Sequence, residues 1–181
     1  MRTFKAISVS IFFALAACGQ AAAPSEADAQ TGGGAASTTG DVTTAEKTAI
    51  YALLQMRPNG QGQVQNECGD MVTPQFMVTD LGAGVGRAIS FVIGGGPSMA
   101  SCYGDGPLIV IYRQTGGAWR EIYQQRGGMP AILSAQHNGG NDIAAGGPGF
   151  SFPVWEWNGN EYTPANREVP DSALSDARFI Q

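Results

Sequence analysis

The sequence has few of the groups on which enzymes and nucleic-acid-binding proteins depend. Charged residues make up 14% of the chain, the formal net charge is −5, and there is one histidine. An acidic chain with scattered arginines and no basic stripe argues against nucleic-acid binding. No stretch reaches the ~20 apolar residues that a membrane-spanning helix needs. There is no Cys-x-x-Cys pair, which argues against a reactive thiol or cysteine metal site.

The first twenty residues have the parts of an export signal in the expected order. Arg2 and Lys5 form a short positive start, and the uncharged residues 6–17 follow. That apolar stretch is too short to span a membrane, and its length is typical of a signal peptide. We therefore expect residues 1–17 to be a signal peptide, which would make the mature chain more acidic by removing two cations.

The end of this segment reads Leu15-Ala16-Ala17-Cys18, which resembles the lipobox of bacterial lipoproteins. The resemblance implies cleavage before Cys18 and acylation of that cysteine with palmitate-like chains. Two or three such chains would hold the protein firmly to a membrane. Since Gly19 and not aspartate follows, the resemblance implies the outer membrane, facing the periplasm. The alternative is an ordinary signal peptide cut after Ala17.

The chain that follows divides into a linker and one folded domain. Residues 19–41 contain no aromatic residue and no Val, Ile, Leu or Met. Such a stretch cannot bury enough apolar area to offset its ordering entropy. We expect residues 18–41 to be a lipidated cysteine and a disordered linker, with a typical end-to-end distance of roughly 25–30 Å. Residues 42–181 then form one domain of ordinary size.

Two cysteines remain once Cys18 is assigned to the lipid. Cys68 and Cys102 form an even pair, and an exported protein folds in an oxidising compartment. We expect them to be bonded, which would staple the domain by roughly 3–4 kcal/mol on a chain-entropy estimate.

The domain has the pattern of one helix followed by many short strands. Residues 43–56 predict a helix, since Thr43 and Glu46 have capping-box spacing and Ile50, Leu53 and Leu54 share a face. Alternating apolar residues between glycine-rich breaks then predict strands at 71–80, 87–93, 108–113, 119–124, 131–135, 143–145 and 150–157. The fold class is α+β, with the helix packed on an antiparallel meander. A small barrel or sandwich is the alternative, and the polar tail after Pro164 is expected to be irregular.

The strand at 150–157 is apolar on both sides. Phe150, Phe152 and Val154 alternate with Trp155 and Trp157, so one side meets the core. The other side is either a second buried layer or an exposed aromatic patch. Pro153 cannot donate to a sheet ladder, which predicts an edge strand or a bulge.

The motifs that could carry chemistry are weak. Gly82-Ala-Gly-Val-Gly86 lacks the spacing of a nucleotide-binding loop and precedes a strand, so it is predicted to be a turn. His137, with Ser134 and Asp142 nearby, could serve a hydrolase, but there is no G-x-S-x-G elbow. Calcium is a weak option near Asn138, Asn141 and Asp142, because one carboxylate is too little charge for tight binding. Carboxylate pairs for sugar hydrolysis could be drawn from Glu121, Glu156 and Glu161, but no spacing selects a pair. No cofactor and no metal are expected.

These features favour a non-enzymatic envelope lipoprotein that binds an unknown envelope protein. In size, anchor and disulfide the chain resembles small periplasmic lipoproteins that act as inhibitors or immunity factors, and an assembly role is a further option. Residues 150–162 resemble a segment of uncharacterised proteobacterial envelope proteins. One alternative is a glycan- or peptidoglycan-binding module that uses exposed aromatic side chains, namely Trp119, Trp155, Trp157 and Tyr162. The other alternative is a hydrolase that uses His137.

Overall fold

The computed structural model describes residues 40–104, 106–145 and 151–180. Residues 1–39 lie outside these ranges, and with them the expected signal peptide, the lipidation site Cys18 and nearly all of the linker. Phe150 lies outside them as well. Those expectations therefore stay predictions.

The N-terminal helix α1 runs over Thr44–Leu53. It begins as the capping box predicts: the Thr43 hydroxyl accepts from the Glu46 amide at 3.2 Å, and the Glu46 carboxylate accepts from the Thr43 amide at 2.8 Å. The helix ends before the expected residue 56, because Gln55 adopts a left-handed backbone with φ of 55°. Ile50 is fully buried and holds α1 against the first sheet.

The first sheet is an antiparallel meander of four strands. Its order is that of the chain: β3 (Gln75–Asp80), β4 (Arg87–Ile93), β5 (Leu108–Thr115) and β6 (Ala118–Arg126). A separate two-stranded ribbon pairs β1 (Val64–Gln65) with β2 (Met71–Val72). The single strand expected at 71–80 is thus divided between β2 and β3. A short helix α2, which the sequence pattern did not predict, spans Met99–Tyr103.

The second sheet is another antiparallel meander with one added strand. Its strands are β7 (Pro130–His137), β8 (Gly140–Ala145), β9 (Ser151–Trp157) and β10 (Tyr162–Pro170), and β11 (Arg178–Phe179) pairs with the far side of β7. The prediction of an irregular tail after Pro164 was wrong. β10 continues to Pro170, a 3₁₀ turn follows at Asp171–Leu174, and β11 closes the sheet. β10 tolerates its prolines because it is an edge strand, and an edge strand needs no ladder bond on its outer side.

β9 lies between β8 and β10, so it is not the edge strand that Pro153 suggested. Its pairs with β8 are at Trp155 and Val154, and Pro153 lies beyond them, where no ladder bond to β8 is required. The irregularity is in β10, whose register with β9 shifts between Pro164 and Glu168. Both faces of β9 are covered: Phe152 and Val154 are buried on one face and Trp157 on the other.

The two sheets pack face to face and are not closed into a barrel. The layer between them includes Leu81, Val92, Ile109, Ile111, Ile132, Ile143, Trp157 and Ile180. A second apolar layer lies between the first sheet and the two helices, and a third lies on the outer face of the second sheet. This architecture confirms an antiparallel α+β domain with a sandwich packing of its sheets.

Candidate functional site

Four polar side chains from consecutive strands meet on the outer face of the second sheet. They belong to His137 at the end of β7, Asp142 in β8, Glu156 in β9 and Arg167 in β10. Asp142 precedes Ile143, which points into the layer between the sheets, and successive strand residues point to opposite faces. The strand order therefore brings together residues that are far apart in sequence. We call these four residues the polar cluster.

The centre of the polar cluster is the fully buried carboxylate of Asp142. One of its oxygens lies 2.7 Å from Nδ1 of His137, and the other accepts a hydrogen bond from Nη2 of Arg167 at 2.5 Å. Arg167 also donates from Nε to Glu156 at 2.9 Å. The second ring nitrogen of His137 lies 3.4 Å from the same Glu156 oxygen. Because both oxygens of Asp142 have partners, its burial costs less than that of an unpaired charge.

The polar cluster contains atoms that could bind a metal ion, but the Arg167 guanidinium lies between its carboxylates. One atom each from His137, Asp142 and Glu156 lie within 4.8 Å of one another, a spacing that a metal ion could bridge. The Arg167 guanidinium, however, already donates to both carboxylates and supplies the positive charge that an ion would supply. The geometry therefore favours an ion-pair network over a metal centre.

The same contacts argue against a hydrolase role for His137. Nδ1 of His137 faces a buried aspartate, as in a catalytic dyad, but Nε2 faces the Glu156 carboxylate. Within the part of the chain that the structure describes, no serine, threonine or cysteine side chain hydrogen-bonds to His137. A general base needs a nucleophile or substrate proton within hydrogen-bond reach. The contacts thus give a hydrolase no assembled nucleophile.

The three residues considered for calcium have separate partners. Asn138 donates its amide to the Trp157 carbonyl at 2.8 Å, and Asn141 donates to the Leu133 carbonyl at 2.8 Å. Asp142 is bound by the polar cluster. The side-chain amide of Asn138 ties the β7–β8 hairpin to β9, and that of Asn141 ties the two strands of the hairpin to each other. The geometry gives a calcium site no support.

The aromatic side chains considered for glycan binding do not form one exposed surface. Trp157 is 1% exposed and Tyr162 is 7% exposed, so both are inside the fold. Burial raises the pKa of Tyr162, the charge of Asp142 adds to this, and the hydroxyl donates to the Asn141 carbonyl at 2.8 Å. Trp155 is half-buried against the layer between the sheets, whereas Trp119 packs on the layer beneath the helices. A sugar ring cannot stack on a buried ring.

The disulfide between Cys68 and Cys102 is present, as predicted. Its Cα atoms are 5.7 Å apart, within the range that the bond requires. It ties the loop between β1 and β2 to helix α2. The bond therefore holds in place two segments, the β1–β2 loop and the short helix α2, that have little regular structure around them.

The glycine loop at residues 82–86 is a turn, as predicted, and it docks on the β7–β8 hairpin. The Gly84 amide donates to the Gly139 carbonyl at 2.8 Å. A Cβ on Gly84 would lie 2.2 Å from the Asn138 carbonyl oxygen, so only glycine allows this approach. β4 begins directly after the loop at Arg87, in place of the helix that a phosphate-binding loop requires.

The edges of the two sheets differ in how they are protected against pairing with another chain. Sheet edges are blunted by charges, prolines, bulges or short length. β10 has Pro164, Pro170 and a register shift, and β11 has two residues. β6 carries Arg120, Glu121 and Arg126. β3 has no proline, no bulge and no charge before its last residue.

β3 presents six residues, Gln-Phe-Met-Val-Thr-Asp, whose register with β4 is unbroken. Its one charged residue is the last, Asp80. Phe76, Met77 and Val78 are half-buried, so parts of all three remain accessible. An open groove of about 630 Å³ runs beside the strand, lined by Gly40, Asp41, Val42, Phe76, Met77, Val78, Asp80 and Arg178. A second groove of about 480 Å³ also includes Val78 and Asp80. We call this region the β3 edge.

No family model, curated protein or solved structure matches this chain. In the described ranges no helix is both long and apolar enough to cross a bilayer.

Sequence reasoning missed the β3 edge as a surface. The absence of Lys, Arg and Pro from residues 75–79 is visible in the sequence. What it could not supply was the strand order, which makes β3 the first strand of its sheet. Glu156 and His137 were each considered, but only the strand order brings them to Arg167.

Proposed function

We propose that this chain is a lipoprotein of the bacterial envelope whose folded domain binds another protein without catalysing a reaction on it. The anchor is Cys18, supported by the lipobox sequence Leu15-Ala16-Ala17-Cys18. Gly19 after the cysteine supports the outer membrane, with the domain in the periplasm. The protein acts as an inhibitor or an assembly factor for a partner in that compartment.

The observation that carries the binding function is the unprotected β3 edge. An open strand edge presents unpaired backbone N–H and C=O groups, and the half-buried apolar side chains beside it can be covered further by a partner. Strand edges are a common means by which proteins recognise extended segments of other proteins. The alternatives have less support, because Trp157 and Tyr162 are buried and His137 faces two carboxylates.

Photo-crosslinking in living cells tests this function with the full lipidated chain. A photoreactive residue replaces Val78 on β3, Arg120 on β6 or Glu161 in the β9–β10 turn, one position at a time. We expect at least one position to give a crosslink to a single envelope protein. The Cys18→Ala variant, which cannot be lipidated, should give the same crosslink weakly or not at all because it is not held at the membrane.

Two results would contradict the proposal. One is that none of the three positions crosslinks to a protein. The other is that the full chain co-sediments with purified peptidoglycan and gives no protein crosslink, which would identify a glycan as the ligand. Membrane fractionation of the Cys18→Ala variant reports on the anchor separately, since a variant that stays membrane-bound would contradict lipidation at Cys18.

A further inference from the structure

We propose that the β3 edge accepts an extended segment of another protein as a fifth strand of the first sheet, and that this segment carries a lysine or arginine at the end that meets Asp80. This proposal rests on the protein-binding function above and names the surface and the chemistry of its partner.

The backbone of β3 supplies the first part of the argument. β4 pairs with one side of β3 over all six residues, from Gln75 opposite Val92 to Asp80 opposite Arg87. An edge strand directs alternate N–H and C=O groups away from its sheet, where an added strand can pair with them. In the described ranges the one hydrogen bond on the outer side is from Arg178 to the Asp80 carbonyl, at 2.9 Å. The rest of the edge faces the groove.

The side chains supply the second part. In a strand successive residues point to opposite faces, so Phe76 and Val78 lie on one face and Met77 on the other. Phe76 packs towards the helices and Met77 towards the layer between the sheets. An added strand with apolar residues at alternate positions would therefore continue one of the two apolar layers, and its intervening residues would lie over the other. Such a segment is recognised by its pattern and not by one side chain.

The charges select the kind of segment. Asp41 and Asp80, whose side chain is 71% exposed, line the groove, and among its described lining residues Arg178 is the one cation. Arg87, which lines the second groove, is paired with Glu46, and Lys47 lies farther along the edge, with its Nζ 5.7 Å from the centre of the Phe76 ring. The Arg178 guanidinium is 4.0 Å from the Asp80 carboxylate, too long for a strong ion pair. The groove is thus negative on balance and complementary to a basic residue. A second copy of this chain fits less well, because β3 contains no Lys or Arg and each copy has a formal net charge of −5.

Peptide binding to the full chain in detergent tests the proposal. The probes are two labelled peptides of about eight residues with the same alternating Val/Thr centre, one flanked at each end by lysine and the other by glutamate. We expect fluorescence anisotropy to show that the lysine peptide binds at least about ten-fold more tightly. Flanking both ends makes the result independent of strand direction.

Matched variants locate the site. Val78→Pro places a residue without an N–H in β3, and Gln124→Pro does the same in β6, the other edge of the same sheet. We expect Val78→Pro to lose lysine-peptide binding and Gln124→Pro to retain it. If circular dichroism shows that Val78→Pro is unfolded, Asp80→Asn serves instead. It should reduce the preference for the lysine peptide several-fold without changing the fold.

Several outcomes would overturn the proposal. Equal binding of both peptides, or equal binding by the wild type, Val78→Pro and Asp80→Asn, would show that the β3 edge does not select a basic strand. A dimer in sedimentation that Val78→Pro dissolves would assign the edge to a second copy. Crosslinks in cells from Arg120 or Glu161 alone, without peptide binding, would move the partner to another surface and leave the protein-binding function standing. Peptide binding without any crosslink in cells would contradict that function instead.

Discussion

At the scale of the residue, Glu46 links local and long-range structure. It completes the capping box of α1 and also receives two hydrogen bonds from the Arg87 guanidinium in β4, at 2.9 and 3.1 Å. Both side chains are largely shielded from solvent. The hydrogen bonds from Arg87, followed by those from Thr43, outweigh burial and lower the pKa of Glu46 from 4.5 to about 2. The pair therefore fastens α1 to the first sheet.

Replacing this carboxylate should make stability less dependent on pH. We expect Glu46→Gln to lower the free energy of unfolding near neutral pH by about 1–3 kcal/mol. Because the pKa of Glu46 is lower in the folded state, the wild-type contribution is complete above pH 4.5 and is lost as the pH falls towards 2. The two proteins should therefore converge in acid. Urea unfolding at several pH values measures this.

The exposed pair of Glu67 and Arg126 is the control for that measurement. Its side chains are 48% and 45% exposed, so solvent screens their attraction. Glu67→Gln should change the free energy of unfolding by less than about 1 kcal/mol. If Glu46→Gln and Glu67→Gln lowered the free energy of unfolding equally, the Glu46–Arg87 contact would contribute no more to stability than the exposed pair.

At the scale of the element, the turn at residues 82–86 joins the two sheets without side chains. Gly84 and Gly139 bring two backbone segments into contact, and the backbone N–H of Asn141 donates to the Leu81 carbonyl at 2.7 Å. The loop leading into β4 and the β7–β8 hairpin therefore hold each other in place. The hairpin also carries His137 and Asp142, so the polar cluster depends on this contact for its position.

A methyl group should separate these two elements. Gly84→Ala places a Cβ against the Asn138 carbonyl, and we expect a loss of about 1–3 kcal/mol, the usual range for overpacking. Gly60→Ala is the matched control, since a Cβ added at Gly60 would have no atom within 4 Å and the φ of Gly60 is ordinary. It should stay within about 0.5 kcal/mol of wild type. Thermal unfolding of both variants decides the matter, and an unchanged melting temperature for Gly84→Ala would contradict the close contact.

The elements that the sequence predicted are those whose local pattern agrees with their surroundings. The capping box located the start of α1, and alternation located β4 through β9, because one or both faces of those strands are buried. β10 was missed because Pro164, Pro170 and its polar residues weaken a strand pattern, although an edge strand tolerates all of them. The polar cluster and the β3 edge depend on which strands are neighbours. Strand order is set by packing of the whole chain and is not written in any local stretch.

At the scale of the whole molecule, the described residues form three apolar layers that alternate with the two larger sheets. The chain end contributes to the middle layer: Ile180 is 2% exposed, and its amide donates to the Pro130 carbonyl at 3.0 Å. The disulfide lies away from that layer, at the helix-covered side, where Cys102 packs with the second apolar layer. The staple therefore stabilises the side of the domain with the least regular structure.

Removing the disulfide should lower stability without removing the fold. The two bonded cysteines are 34 residues apart in sequence. We expect the double substitution Cys68→Ser with Cys102→Ser to lower the free energy of unfolding by roughly 3–4 kcal/mol. Denaturant unfolding of the double variant, beside wild type with and without a reductant, measures this. Reduced wild type and the double variant should agree. A stability that is the same in all three samples would mean that the loop and α2 are held by their other contacts.

The Arg87 contact also has a mechanical consequence. A pull on the N-terminal end of the domain is transmitted through Asp41, whose backbone carbonyl accepts from Arg87 at 3.3 Å, and then through Glu46. Arg87 belongs to β4, which has a partner strand on each side. Tension is therefore passed to an inner strand of the first sheet before α1 can be peeled away. Since Asp41 and Val42 line the groove beside β3, the load enters next to the β3 edge but is carried by β4, the strand behind it.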